Sequence, residues 1–190
     1  TELSEDEKQR LGLPVFVKPA RGGSSIGVSK VNSWEEFPAA VDLALEDDEK
    51  ILVEPEIVGQ EVEIGVLHYA DGTLLASVPA LLAGIDDSDE GFYGFDTKYL
   101  DNVVTAEIPA PFAPELTEKL RGMAIRAFEA LNCEGLSRVD FFVTEDSVYI
   151  NEINTLPGFT PISMYPQVLA ASGVEYPALL EALIEQALAK

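Results

Sequence analysis

Residues 137–158 read SRVDFFVTEDSVYINEINTLPG, and this stretch decides the fold. Residues 137–144 and 148–153 are rich in Val, Phe and Ile, as strands are, and flank the turn residues Glu145, Asp146 and Ser147. Arg138 and Asp140 stand two residues apart, so they share one sheet face, and Glu152 and Asn154 do the same on the next strand. A three-residue loop sets Asp140 opposite Glu152 and Arg138 opposite Asn154. Facing residues of a hairpin hold their Cβ atoms about 4.5–5.5 Å apart. Two carboxylates, an amide oxygen and a guanidinium then share a face, while Val139, Phe141 and Ile153 turn to a core. Three hard oxygen ligands without thiol or imidazole suit Mg²⁺, which also takes phosphate oxygens and water. Facing acids repel unless a cation lies between them. The alternative is a solvated polar face on which Arg138 itself bridges the acids.

Upstream, residues 15–31 read VFVKPARGGSSIGVSKV. A strand over residues 13–18 ends on Lys18, a point charge suited to phosphate. The loop over residues 20–27 follows, with Gly22, Gly23 and Gly27 permitting close backbone approach and its N–H groups able to form an anion-binding concavity. A Walker loop or a Rossmann glycine turn leads straight into a helix. Here an extended stretch over residues 28–31 comes first, so the geometry is that of a flap over phosphates; the alternative is a plain mobile hairpin.

The rest of the chain supplies packing. Residues 2–11 read as a charged lead-in with no core face. Ser33 with Glu36 forms a capping-box pattern for a helix that turns Phe37, Val41 and Leu45 inward. Residues 51–54 form a strand. Residues 61–69 and 73–79 flank Ala70-Asp71-Gly72, a hairpin signal. Residues 80–102 lack periodicity. Leu116, Leu120, Met123, Ala127 and Leu131 recur at helical spacing, predicting a helix over residues 114–132. A Pro- and Gly-punctuated loop over residues 154–166 precedes two terminal helices, the last with Leu180, Leu183, Ile184 and Ala187 on one side. His68 and Trp34 read as structural, and Cys133 as a buried thiol. Mixed strand pairs with interspersed helices give an α+β class.

In 190 residues, 34 acids oppose 12 bases for a net charge of −22, which argues against a general nucleic-acid surface. No apolar run reaches membrane-span length and no signal-like segment opens the chain, so no membrane is expected and the cytoplasm is the expected compartment. A single cysteine excludes an internal disulfide framework.

The pair VKP…GGSSIG (residues 17–27) and RVDFFV…EINTLPGFT (residues 138–160) resembles the D-alanine–D-alanine ligase family within the ATP-grasp superfamily. The resemblance covers nearly everything from residue 11 onward. It implies an ATP-grasp fold of mostly antiparallel sheets with packed helices, in two lobes around a nucleotide cleft. Residues 1–56 would be part of the small lobe with its phosphate loop, and residues 57–190 the large lobe. Lys18 would contact ATP phosphates, with Ser24 and its neighbouring amides closing over them. In ILVEPEIVGQEVEIGV (residues 51–66), Glu54 and the backbone near Ile57 match positions holding adenine, and Glu61 the position binding the ribose. Asp140, Glu152 and Asn154 match ligands of two Mg²⁺ ions, for which Mn²⁺ could substitute, with Glu152 bridging. Arg138 matches the arginine stabilising the charged intermediate. Ser163 and Met164 match the site for the second D-alanine's carboxylate. The loop over residues 92–102 resembles the family's lid, with Lys98 reaching the transferred phosphoryl group and Tyr99 closing the site.

The activity implied is ATP-dependent joining of two D-alanines through an acyl phosphate, for peptidoglycan precursors, by an enzyme that is a homodimer at full length. Another acceptor, such as D-lactate or a different amino acid, is the alternative, as is a module that only binds nucleotide. Relative to the family pattern the chain starts inside the small lobe, so these 190 residues alone are expected not to form the dipeptide.

Overall fold

The computed structural model describes residues 2–83 and 105–189, so Lys98, Tyr99 and the rest of residues 92–102 lie outside the described residues. The described chain divides into two compact units, residues 2–57 and residues 58–83 with 105–189.

The first unit is a three-stranded antiparallel sheet with two helices. Strand β1 (Val15–Pro19) lies between β2 (Ser29–Val31) and β3 (Ile51–Pro55). Alternation along β1 buries Val15 and Val17, with Val31 from β2, against Phe37, Ala40, Val41 and Ala44 of helix α2 (Phe37–Asp47). The opposite face carries Phe16 and Lys18, with Lys30 and Glu54 both in register with Phe16.

Three expectations change here. The lead-in is partly a helix, α1 (Glu5–Leu11), closed by a full capping box between Ser4 and Glu7, and Leu3 and Leu11 pack on the core. The Ser-x-x-Glu spacing carried that signal. Helix α2 starts at Phe37 rather than Ser33. Glu36 does accept the N–H groups of Asn32 (2.9 Å) and Ser33 (3.3 Å), but Pro38, with fixed φ and no N–H, belongs in a first turn. Ala44, seven residues after Phe37, takes the inward position, leaving Leu45 exposed.

The second unit is built on a mostly antiparallel six-stranded sheet. Its strands β4 (Gln60–His68), β5 (Leu74–Ala76), β6 (Ala80–Ala83), β7 (Thr105–Glu107), β8 (Leu136–Val143) and β9 (Val148–Asn154) run in the order β7-β6-β4-β8-β9, with β5 also paired to β4. The pairing of β6 with β4 and β7 gives order to residues that show no periodicity, because strands of three or four residues are too short to reveal one. On one sheet face Val62, Ile64, Val66, Val139, Phe141 and Val143 pack under helix α3 (Pro114–Ala130), through Leu120, Ala124 and Phe128. This inward line is rotated from the expected stripe, so Leu131 is exposed. Cys133 packs at the edge of this core, and burial pushes its thiol pKa up. His68 meets the Phe128 ring edge-on, 6.1 Å between centroids.

Among the described residues, two helices cover the other face of β4 at one end. Leu67 packs with Tyr165, Val168 and Leu169 of α4 (Met164–Ala171), and with Leu179 and Ala182 of α5 (Tyr176–Leu188). The inward line of α5 is thus Leu179, Ala182 and Leu183, while Leu180 and Ile184 are exposed. Burial raises the Tyr165 phenol above its ordinary range, and its hydroxyl donates to Val66 O at 3.0 Å. Gly65 lies directly beneath: a Cβ built there would stand 2.5 Å from Leu169 Cδ2 and 3.1 Å from the Tyr165 ring. Gly65→Ala is therefore expected to destabilise this unit by about 1–3 kcal/mol through overpacking. Unaccelerated amide exchange along β4 and α4 in the variant would refute this. Among the described residues no helix is long and apolar enough to cross a membrane.

Candidate functional site

The covered end of β4 gives way, two residues back from Gly65, to charge. The β4–β8 register sets Glu63 opposite Asp140, and the β8–β9 register sets Asp140 opposite Glu152 and Arg138 opposite Asn154. Three carboxylates thus form one row across three strands, with Arg138 and Asn154 in the next row. The turn behind this pairing is tighter than a three-residue loop. Thr144 N–H donates to Ser147 O at 2.9 Å, and Ser147 N–H donates to Thr144 Oγ1 at 3.0 Å, leaving only Glu145 and Asp146 at the tip. Continued regularly, that turn would pair Asp140 with Asn151 and send Glu152 to the core face. A bulge between Asp140 and Phe141 absorbs the extra β9 residue and restores Glu152 to the polar face.

Arg138 organises the site. Its Nε and Nη2 donate to Asp140 Oδ1 (2.7 Å) and Oδ2 (2.6 Å) in a planar fork, and Nε also lies 3.1 Å from Glu63 Oε2. Burial alone would lower the guanidinium pKa. The Asp140 hydrogen bonds, with the charges of Asp140, Glu63 and Glu152, more than reverse this, so it stays charged at any accessible pH. Asn154 Nδ2 donates to Asp140 Oδ2 (3.0 Å) and Glu152 Oε1 (3.2 Å). Among the described residues no group of three or more His, Cys, Asp or Glu side chains gathers as a metal cage. The candidate donor set is two carboxylates and an amide. That set fits Mg²⁺, which is usually held by one or two carboxylates together with substrate phosphates and water rather than by an all-protein cage. The fit requires the Asn154 amide to present Oδ1 instead of Nδ2.

In the first unit Lys18 pairs with Glu54 at 2.7 Å, and Lys30 pairs with Glu56 at 2.6 Å while lying 6.0 Å from the Phe16 ring centroid. Ile57, half-buried, ends this unit. Ser24 and Ser25 are both in the left-handed region, φ 54° and 57°, followed by Gly27 at 71°. Two non-glycine residues in that region store strain, of order 1–3 kcal/mol each, as phosphate-binding turns often do. The base of this loop is tied by Asp48, which accepts Arg21 N–H (2.9 Å), Arg21 Nε (3.0 Å) and Lys50 N–H (3.0 Å). The side-chain hydrogen bonds from Arg21 and the backbone bond from Lys50 hold the Asp48 carboxyl well below the usual carboxylate range. A depressed folded pKa stabilises the fold above the unfolded value, about 3.9, and that contribution is lost as pH falls through the depressed one. Arg21→Ala is expected to return the Asp48 pKa, followed by NMR, toward the ordinary value and to move acid unfolding of this unit to higher pH; an unchanged titration would refute the tie.

In the second unit Glu61 lies two residues from Glu63 on the same face, opposite Phe142. Ser163 is the N-cap residue of α4 and Met164 its first residue. The Ser163 hydroxyl accepts Thr160 N–H at 3.1 Å and lies 2.9 Å from Thr160 Oγ1. The side chain that sequence reasoning missed is Glu63. The two-residue spacing that grouped the other four was present in Glu61-Val62-Glu63, but an acid buried on a central strand runs against expectation for its residue type.

The family profile described as D-ala D-ala ligase C-terminus matches residues 1–185. The D-alanine–D-alanine ligase of Corynebacterium efficiens is 66% identical over 187 residues, covering 98% of this chain and 52% of that protein. The chain thus spans about half the length of the curated relatives it matches. Among solved structures, the D-alanine–D-alanine ligase of Coxiella burnetii superposes with TM-score 0.81 at 36% identity, covering 98% of this chain and 49% of that one. The Bacillus anthracis enzyme, complexed with ATP, gives 0.78 at 27% identity, covering 99% of this chain and 57% of that one. These neighbours share an ATP-grasp α+β architecture with the two sheets described above. By profile, sequence identity and fold alike, the chain belongs to the D-alanine–D-alanine ligase family.

Proposed function

We propose that these residues form the nucleotide- and metal-binding portion of an enzyme that joins two D-alanines at the expense of ATP. The observation that carries the reading is the Arg138–Asp140–Glu152–Asn154 cluster on one sheet face, in a chain 66% identical to a protein named for that reaction. Lys18 and the strained turn at Ser24 hold phosphates by charge and backbone N–H groups. Glu54 and Ile57 border the adenine, and Glu61 takes the ribose hydroxyls. Asp140, Glu152 and Asn154 would hold Mg²⁺, which would supply charge neutralisation for phosphoryl transfer. The first substrate's carboxylate attacks the γ-phosphorus of ATP and displaces ADP. The second substrate's amine attacks the resulting acyl phosphate and expels phosphate as the C–N bond forms. Arg138 opposes the negative charge that develops on the acyl oxygen. Its fork to Asp140 uses Nε and Nη2. Among the described residues Nη1 donates to no partner, so that edge remains for the reacting oxygen. Ser163 and Met164 seat the acceptor carboxylate; Lys98 and Tyr99, outside the described residues, keep the roles that the family resemblance implies.

The test uses a polypeptide carrying these residues at the length of their relatives. Magnesium-dependent ADP release requiring D-alanine, with D-alanyl-D-alanine identified by mass, is the expected result. ADP release without amino acid, or release supported only by a different acceptor, would overturn the assignment.

A further inference from the structure

We infer that Glu63 is a positioning residue for Arg138, fixing the guanidinium from β4, on the side away from Glu152 and Asn154. This rests on the role proposed for Arg138. Glu63 sits on the central strand β4, in register with Asp140, and its side chain is only 4% exposed. Carboxylates are rarely buried to this degree unless paired, and a buried acid serving stability alone is usually replaceable by an apolar side chain. Glu63 has its charge partner in place: Oε2 lies 3.1 Å from Arg138 Nε. The same Nε donates its hydrogen bond to Asp140 Oδ1 at 2.7 Å, so Glu63 acts on this edge by charge at close range.

The consequence concerns orientation. Asp140 is proposed to serve a cation as well as the arginine, and a cation draws on the same lone pairs that the guanidinium uses. If Asp140 were the only anchor, each change at the metal would let Arg138 turn. Glu63, on the same face but on the β4 side of Arg138, away from Asn154 and Glu152 on β9, keeps the Nε edge fixed. The Nη1 edge then stays turned outward whatever Asp140 is doing. The covered end of β4 limits movement from behind, because Gly65, opposite Arg138 in the β4–β8 register, lies against Tyr165 and Leu169.

The experiment is a double-mutant cycle at full relative length, Glu63→Gln with Arg138→Lys. Glutamine preserves volume and removes the charge through which Glu63 acts. Glu63→Gln alone is expected to lower kcat about 10- to 100-fold, the usual effect of losing an outer partner of a site, with KM for ATP unchanged. In the Arg138→Lys background the same change should have little further effect, because the fork it positions is gone. The ¹⁵N resonance of Arg138 Nε should shift in Glu63→Gln. Additive losses in the two backgrounds, or wild-type kcat in Glu63→Gln, would overturn the inference while leaving the function standing. Wild-type kcat in Arg138→Lys would instead overturn the role of Arg138 on which it rests. Should Glu63→Gln fail to fold, Glu63→Asp decides: it keeps the charge but withdraws it by one methylene. A lowered kcat with unchanged ATP affinity supports the positioning role, and full activity refutes it.

Discussion

Arg138→Met is expected to destabilise the second unit by about 3–5 kcal/mol near neutral pH, the cost of removing one partner from a buried ionic cluster. Glu63, Asp140 and Glu152 stand in one transverse row, and the guanidinium is the one cation within ion-pair distance of Glu63 and Asp140 among the described residues. Methionine keeps the stem's volume but removes the guanidinium that pairs with Glu63 and Asp140 from a row of three carboxylates. The loss falls on the unit that holds the row, because Glu63, Asp140 and Glu152 all belong to its sheet. Amide exchange along β8 and β9 reads the effect within one unit; the single tryptophan, Trp34, belongs to the other. Equal protection in the two proteins would refute the account.

How much of this was legible beforehand depends on the length scale. The site face followed from two-residue spacing alone, because alternation across a strand is set by backbone geometry. The facing pairs were expected from a three-residue loop, whereas the structure has a two-residue tip and a compensating bulge. Two one-residue departures cancel at Asp140. No local sequence rule marks Asn151 as the extra residue, since bulges are fixed by the packing on both sheet faces. Helix faces were less legible for a related reason. Leu45, Leu131 and Ile184 are as apolar as the residues that are buried, and only the sheet beneath each helix selects which line turns inward. Glu63 was missed for the opposite reason: the pattern was present, but composition argues against a buried acid until its arginine is in place.

Glu152→Gln separates function from stability at the same row, and the two effects should have opposite signs. On stability, the substitution removes a negative charge facing Asp140, while glutamine can still accept from Asn154 Nδ2, which lies 3.2 Å from Glu152 Oε1. Less like-charge repulsion predicts exchange protection in β8 and β9 equal to or above wild type. On function, the neutral amide is a far weaker ligand for a hard dication. A metal contribution of several kcal/mol at the phosphoryl oxygens corresponds to a loss of roughly two to three orders of magnitude in turnover. The loss should be partly relieved by raising the Mg²⁺ concentration, because weakened metal occupancy responds to mass action and a misplaced backbone does not. If Glu152 were only part of a solvated polar face bridged by Arg138, the variant would turn over at the wild-type rate at every Mg²⁺ concentration. Stability held or gained, turnover lost and magnesium demand raised is the combination expected of a ligand carboxylate. Loss of activity together with loss of exchange protection would instead show that Glu152 serves the fold.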